Sequence, residues 1–379
     1  MTLTPEMERY VLESQPGVQN LIRSLCALPA PSHHEELRAA YCKQWLEENG
    51  GEHVYIDEAL NVICPVNVTE DNDLVVIMAH TDTVFPDTEP YPFREDEEKM
   101  YCPAVGDDTA NLAVLLYAAK YFLEQKSAPN TGLLFVANSC EEGLGDLKGS
   151  KQIVKDFGPR IKEFISFDGS TLGAITCKAV GSHRYRVVVR TEGGHSFSAF
   201  GNRNAIRCLA SMIDTLYSVK VPVEGDSRTT YNVGTISGGT SVNTIAQQAE
   251  MLYEYRSDDR TCLAKMQDMF EKVVEAYRAT GIEVEVTKVG DRPCSGVIAE
   301  GPMKALTDRL EESSRLVGAE PFFRSGSTDA NMPLSLGIPA ATVGVVVSRG
   351  AHTREEWLDK ASLLPGLRKA LAILSAYFA

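Results

Sequence analysis

Three apolar segments of strand length are each followed by side chains that can bind a metal ion. These side chains are His80 and Asp82 after residues 74–79, Glu141 and Glu142 after residues 132–138, and Asp168 at the end of residues 163–168. In an open α/β sheet, ligands bind in the crevice outside the carboxyl ends of the strands. We therefore expect imidazole and carboxylate groups from three strands to meet at one sheet edge.

Further candidate ligands lie beside a predicted helix and after the last predicted strand. Asp107 and Asp108 precede a helix, where backbone N–H groups favour anions, and His352 follows residues 338–347. Carboxylates gathered this closely would repel one another and take up protons unless cations lay among them. Imidazole and carboxylate ligands without thiolate suit zinc, with cobalt or manganese as alternatives. Two such metals can share a carboxylate and a water, acidify that water and polarise a carbonyl.

Each of these groups also has an ordinary structural explanation. Taken alone, His80 can be a buried, hydrogen-bonded histidine, and the Glu141–Glu142 pair can mark a helix start. The pair Asp107–Asp108 is typical of a turn. Their coincidence at corresponding strand ends favours the metal site.

The cysteines and the charge balance exclude several other classes of protein. Nine cysteines are scattered without a C-x-x-C pair, which argues against a disulfide framework and a thiolate zinc site, and we expect Cys140 to be structural. Thirty-seven basic and 52 acidic residues give a net charge of -15, which disfavours nucleic acid as a partner. Neither a secretion signal nor a membrane-spanning apolar run is evident, so we expect a cytoplasmic protein without a membrane partner.

The order of predicted elements indicates two domains. The first third alternates strands and helices, as in a doubly wound, mostly parallel α/β sheet, and a capping box of Ser32 and Glu35 opens one helix. Past residue 180 the order becomes β-α-β-β-α-β, the ferredoxin-like α+β unit, and the last helix is predicted from about Glu355. We therefore predict a catalytic domain in two parts, residues 1–180 and 293–379, with a domain inserted at 181–292.

Six motifs together resemble a known family in order and spacing. They are HTDTVFPD, GDDTANLAVLL, SCEEGLG, FDGS, SGSTDAN and AHTREE. The chain is similar to the M20 family of metallopeptidases and amidohydrolases, which includes aminotripeptidases, glutamate carboxypeptidases and N-acyl-amino-acid deacylases. The resemblance covers nearly the whole chain and implies a zinc-peptidase-like catalytic domain, whose inserted module is a dimerisation or lid domain.

The resemblance also implies roles for individual residues. Asp107 would bridge two zinc ions, with Glu142 and His352 completing one site and His80 and Asp168 the other. Asp82 would hydrogen-bond His80 and hold its tautomer, and Glu141 would be the general base. One departure concerns subfamily: many relatives carry Lys-Gly or Lys-Ala after the paired aspartates, whereas Thr109-Ala110-Asn111 follows here.

The inserted module contributes candidate substrate contacts. The segment GGHSFSAFGNRNAI resembles the family segment whose histidine polarises the scissile carbonyl across a homodimer, which would make His195 an oxyanion donor. The resemblance places Asn243, Arg256, Ser327 and Thr328 at positions that hold the substrate carboxylate. An exposed loop histidine and a surface ion pair remain the alternatives for His195 and Arg256.

These features predict a two-zinc enzyme that hydrolyses small peptides through a hydroxide bridging the metals. An N-acyl-amino-acid deacylase is the alternative within the family, and a non-catalytic scaffold is a remote one. A nicotinamide enzyme is disfavoured because Lys148 stands where the third glycine of a dinucleotide fingerprint would lie. A serine hydrolase is disfavoured because G-x-S-x-G is absent from the sequence.

Overall fold

Two units make up the structure, a computed structural model that describes residues 2–378. The first (unit 1) contains the residues up to Ala179 and those from Gly296 onward, and the second (unit 2) contains Val180–Ser295. The helices in chain order are α1 (Pro5–Cys26), α2 (Glu36–Glu48), α3 (Asn111–Glu124), α4 (Lys148–Phe157), α5 (Ala205–Tyr217), α6 (Arg260–Ala279), α7 (Glu300–Leu316), α8 (Asn331–Ser335) and α9 (Leu363–Ser375).

The strands pair into larger and smaller sheets. In chain order they are β1 (Tyr55–Ile56), β2 (Val62–Val66), β3 (Leu74–His80), β4 (Arg94–Glu95), β5 (Lys99–Tyr101), β6 (Gly132–Asn138), β7 (Ile161–Phe167), β8 (Ala174–Ala179), β9 (Gly181–Arg190), β10 (Gly194–His195), β11 (Thr229–Gly238), β12 (Thr244–Ile245), β13 (Gln248–Ser257), β14 (Glu283–Arg292), β15 (Phe322–Gly326), β16 (Ala340–Val343), β17 (Ser348–Arg349) and β18 (Trp357–Asp359).

Unit 1 is built on an eight-stranded sheet with the order β1-β2-β6-β3-β7-β16-β8-β15. The central strands β6, β3, β7 and β16 run parallel to their neighbours in this group. Every residue of β3 is buried: alternate side chains such as Ile77 pack in one apolar core, and Val76 and Met78 pack in a second. Apolar residues of α3 and α9 join the first core and those of α4 join the second, so the predicted doubly wound, mostly parallel sheet is confirmed.

Unit 2 has the predicted β-α-β-β-α-β arrangement around an antiparallel sheet with the order β11-β13-β9-β14. Its own apolar core contains Tyr185, Val187 and Val189 of β9 packed with residues of α5 and α6. The short strands β10 and β12 form a separate pair that places His195 opposite Thr244.

The capping box predicted from Ser32 and Glu35 is wrong. Helix α2 begins at Glu36, and no side chain caps its first turn. The Ser32 hydroxyl instead donates to Asp82 Oδ2 at 2.6 Å. Glu35 Oε1 accepts the backbone N–H of Cys140 at 3.0 Å. Long-range contacts to the loops after β3 and β6 therefore outweigh the local capping pattern.

The predicted end of the chain also needs correction. The last helix begins at Leu363 rather than near Glu355, because Trp357–Asp359 forms strand β18 and pairs with β5 in a small sheet that the sequence did not predict. The strand predicted over 338–347 is shorter, Ala340–Val343. At Gly344 the backbone approaches so closely that a Cβ atom would lie 2.4 Å from the carbonyl oxygen of Thr171.

The described residues contain neither a disulfide bond nor a helix suited to crossing a membrane. All nine cysteines are free thiols, and Cys140 is buried, as expected for a structural residue. Among residues 2–378, none of the helices combines the length and the apolar character needed to span a bilayer.

Lys369 on α9 supplies a pH-dependent test of this core. It is fully buried, and its Nζ donates to the carbonyl oxygens of Leu172 at 2.6 Å and Gly344 at 3.0 Å. Burial lowers the pKa of Lys369 to about 7, whereas lysine in an unfolded chain has a pKa of about 10.4. Between these values the unfolded chain binds more protons, so this contribution to stability rises with pH.

We expect the wild type to gain stability relative to Lys369→Met as the pH rises from about 7 to about 10. The quantity compared is the difference between their free energies of unfolding. Urea unfolding at several pH values measures this difference. The exposed Lys304 provides the control, since Lys304→Met should give a nearly constant difference. A flat or falling difference for Lys369→Met would contradict the argument.

Candidate metal centre

His80 ends β3 with its ring between two acidic groups. Its Nδ1 lies 3.0 Å from the backbone carbonyl oxygen of Asp82 and 3.3 Å from Asp82 Oδ1. Its Nε2 lies 3.2 Å from Asp107 Oδ1. A proton on Nδ1, shared with Asp82, leaves Nε2 as the nitrogen that can bind a cation.

Asp82 also organises the turn after β6. Its Oδ1 accepts the N–H of Glu141 at 2.9 Å, and its Oδ2 accepts the N–H of Glu142 at 3.0 Å. Burial tends to raise the pKa of Asp82, but hydrogen bonds, first of all with His80, lower it overall. The carboxylate therefore fixes the two adjacent glutamates while it orients His80.

A second histidine contacts the other carboxylate oxygen of Asp107. His352 Nε2 lies 3.2 Å from Asp107 Oδ2 and 3.1 Å from Glu142 Oε1. His352 has a left-handed φ of 64°, and 57% of its side chain is exposed. Asp107 thus presents one oxygen to each histidine.

All the sequence-predicted ligands come together in unit 1. In three overlapping groups the candidate ligand atoms lie within 4.8 Å of one another: His80 with Asp107, Asp108 and Asp168; His80 with Glu141 and Glu142; and Asp107 with Glu142 and His352. Parallel pairing of β3 with β6 and β7 accounts for much of this, since it sets His80 beside Asn138 and close to the end of β7.

The crowding perturbs the proton affinity of the cluster. Burial and the charge of Asp107 raise the pKa of Asp168 to about 6. Burial opposes ionisation of Asp107, yet its hydrogen bonds with His352 and His80 hold its pKa well below the usual range. The hydrogen bond of His352 with Asp107 and, next, its hydrogen bond with Glu142 raise the pKa of His352 to about 11. Protons on the histidines here offset charge that divalent cations can offset instead.

The donor set fits a pair of divalent cations. It consists of imidazole nitrogens and carboxylate oxygens without a thiolate, a combination that suits zinc. Asp108 is fully buried, and its Oδ1 is among the few buried side-chain atoms of residues 2–378 without a hydrogen-bond partner. Its other oxygen, Oδ2, accepts the N–H of His80 at 2.9 Å.

Two buried residues that the sequence did not single out hold the ligand loops. Glu356 accepts the backbone N–H groups of Ala104, Gly106 and Asp107 at 2.8–2.9 Å. Asn111, the first residue of α3, donates to the carbonyl oxygens of Gly106 and Gly169 and accepts the N–H of Val345. Glu356 lies inside the motif AHTREE and Asn111 inside GDDTAN, but composition alone does not reveal their contacts.

Ser327 and Thr328 follow β15 in unit 1. The Thr328 hydroxyl is buried and lies 2.7 Å from Thr342 Oγ1, so it already has a partner within the protein. The neighbouring Asp329 is also buried, and its Oδ2 accepts from Asn138 Nδ2 at 2.7 Å. Burial first, followed by the charges of nearby aspartates, raises the pKa of Asp329 to about 7.

His195, Asn243 and Arg256 lie in unit 2. The ring of His195 is exposed, and its Nδ1 accepts the backbone N–H of Phe197 at 3.2 Å. Asn243 lies next to the partner of His195 in the β10–β12 pair, and its carbonyl oxygen accepts the N–H of Ser196 at 2.9 Å. Arg256 makes two hydrogen bonds to Glu254, at 2.9 and 3.0 Å, which is the ion pair named as its alternative.

Known proteins resemble this chain in both sequence and fold. The sequence matches the family described as Peptidase family M20/M25/M40 over residues 76–376. The uncharacterized protein YqjE of Bacillus subtilis (strain 168) is 24% identical over 331 residues, which cover 83% of this chain and 84% of that protein.

Two solved structures show the same fold. A tripeptidase from Staphylococcus aureus has a TM-score of 0.74 at 23% identity, with 96% of this chain and 98% of that chain covered. The YXEP protein of Bacillus subtilis, described as a dinuclear metal binding peptidase from the M20 family, has a TM-score of 0.64 at 16% identity, with 95% and 98% covered. Because the family match spans more than half of the sequence, the chain belongs to peptidase family M20/M25/M40 and is a hydrolase.

Proposed function

We propose that this hydrolase is a dinuclear zinc metallopeptidase that cleaves small peptides. The observation that carries the proposal is the position of Asp107, whose two oxygens each lie 3.2 Å from a different histidine, His80 and His352. A carboxylate placed in this way can be shared between two cations. Bound divalent cations would acidify a water and polarise the substrate carbonyl.

The ligand roles follow the grouping of the side chains. Asp107 would be shared, Glu142 and His352 would complete one site, and His80 and Asp168 would complete the other, with zinc, cobalt or manganese as the metal. Asp82 would act through His80 and through the turn that bears the paired glutamates.

Glu141 is proposed as the general base. Its side chain is buried beside the ligands, and its backbone is held by Asp82. A carboxylate oxygen of Glu141 would take a proton from the attacking water and deliver it to the leaving amine.

Unit 2 is proposed to bind substrate and to form a homodimer. His195 Nδ1 accepts a backbone N–H, which leaves Nε2 as the ring nitrogen that would donate to a developing oxyanion across the dimer. In unit 2, Arg256, oriented by Glu254, and Asn243 would bind the substrate carboxylate. Ser327 and Thr328 of unit 1 stay proposed substrate contacts. A cytoplasmic location stays a prediction from the sequence.

Glu141→Gln should retain both metals while kcat falls at least about a hundredfold, because the side chain keeps its shape and loses its proton acceptor. Metal analysis and steady-state kinetics on zinc-loaded protein measure the two effects. Glu142→Gln is the contrast, since it should lower the metal content. Near-wild-type kcat in Glu141→Gln would remove Glu141 from the base role.

Substrate comparison separates the peptidase from the N-acyl-amino-acid deacylase. With added zinc, we expect di- and tripeptides to be cleaved faster than N-acetyl or N-succinyl amino acids. A C-terminal amide should react at least about tenfold more slowly than the free acid, since a charged hydrogen bond contributes about 1.5–3 kcal/mol. Arg256→Gln should abolish this preference, and Arg207→Gln on the exposed face of α5 should not. Faster turnover of the acylated amino acids would favour the deacylase.

The dimer role of His195 can be tested by complementation. Subunits carrying His195→Ala and subunits carrying Glu141→Gln are each expected to be inactive. Mixed heterodimers should regain part of the wild-type activity, since one of their two sites would combine an intact His195 with an intact Glu141. Absence of recovery after verified subunit exchange would show that His195 does not act across the dimer.

A further inference from the structure

Glu356 is a buried carboxylate whose partners are backbone groups of a ligand loop. Its Oε2 accepts the N–H of Ala104 at 2.8 Å. Its Oε1 accepts the N–H of Gly106 at 2.9 Å and that of Asp107 at 2.8 Å. With its two oxygens accepting three N–H groups away from water, the Glu356 side chain fixes the backbone of the loop from Ala104 to Asp107.

The same residue is tied to the segment that carries His352. Glu356 lies four positions after His352 and directly before β18, which pairs with β5. The backbone carbonyl of Glu356 also accepts the N–H of Cys102 at 3.2 Å. Glu356 therefore connects the exposed turn of His352 with the loop of Asp107 through both its side chain and its backbone.

The backbone of the loop lies close against Glu356 and Ser348. Gly106 packs so tightly that a Cβ atom there would lie 2.2 Å from Ser348 Cβ and 2.9 Å from Glu356 Oε1. Ala104, where the loop begins, has a left-handed φ of 60°. A non-glycine residue in this conformation needs support from its surroundings, and the hydrogen bond from its N–H to Glu356 contributes that support.

We propose that Glu356 is a positioning residue that sets the spacing between Asp107 and His352 and thereby the affinity of the site for its metal ions. The inference rests on the proposed dinuclear function. The hydrogen bonds of the Glu356 side chain come from backbone N–H groups, including that of Asp107, so it acts through the backbone of Asp107. Loss of an outer-shell partner of this kind typically lowers metal affinity or activity about 10- to 100-fold.

The test compares Glu356→Gln with Glu355→Gln, which removes the neighbouring exposed carboxylate. Metal-free proteins are titrated with Co²⁺, and both the affinity and the visible absorption spectrum are recorded. We expect Glu356→Gln to bind Co²⁺ at least about tenfold more weakly with an altered spectrum, and to lose kcat with little change in KM. Glu355→Gln should match the wild type.

Each outcome bears on a separate claim. Wild-type affinity and spectrum in Glu356→Gln would overturn the positioning role and leave the proposed function intact. Failure of the wild type itself to bind Co²⁺ would overturn the proposed function.

If Glu356→Gln does not fold, hydrogen exchange on the metal-free wild type decides the question. Slow exchange of the amides of Ala104, Gly106 and Asp107 would support the proposal that Glu356 holds this loop in place. Exchange as fast as that of an exposed loop would overturn it.

Discussion

Hydrogen bonds from backbone N–H groups to buried carboxylates hold the ligand-bearing turns of unit 1. Asp82 accepts from the turn that bears Glu141 and Glu142, Glu356 accepts from the loop of Asp107, and Asp108 accepts from His80 itself. A buried carboxylate is costly unless it is paired, and an N–H group in a turn needs an acceptor. Each pairing meets both requirements and restricts the direction of a neighbouring side chain.

This arrangement concentrates negative charge where the ligands meet. Asp168 responds with a raised pKa, whereas Asp107 stays ionised through its histidine contacts. Divalent cations would offset the same charge without protonating the histidines, whose Nε2 atoms would then be available as ligands. The fold thus assembles a site whose electrostatics favour metal binding. Because the chain belongs to a hydrolase family, this site is the candidate for the hydrolytic reaction.

The strand ends and their polar residues were predictable because a continuous apolar run followed by His or Glu is a local signal. The antiparallel unit 2 was predictable for the same reason, since its elements alternate in a recognisable order. The capping box predicted from Ser32 and Glu35 was wrong because that pattern is local, whereas their partners, Asp82 and Cys140, lie far along the chain. The positioning contacts of Glu356 and Asn111 were not predictable because their partners are backbone groups, which every residue carries. Strand β18 was missed because Trp357–Asp359 is short and gains its pairing only from β5.

The strand order of unit 1 has a consequence for how the chain acquires its structure during synthesis. In the order β7-β16-β8-β15, strands made before and after unit 2 alternate. Strands β7 and β8 can therefore gain their neighbour β16 only after all of unit 2 has been synthesised, whereas unit 2, with a core of its own, can fold earlier. His352 is made after the other candidate ligands, so a nascent chain would hold an incomplete set of ligands until synthesis has passed this residue.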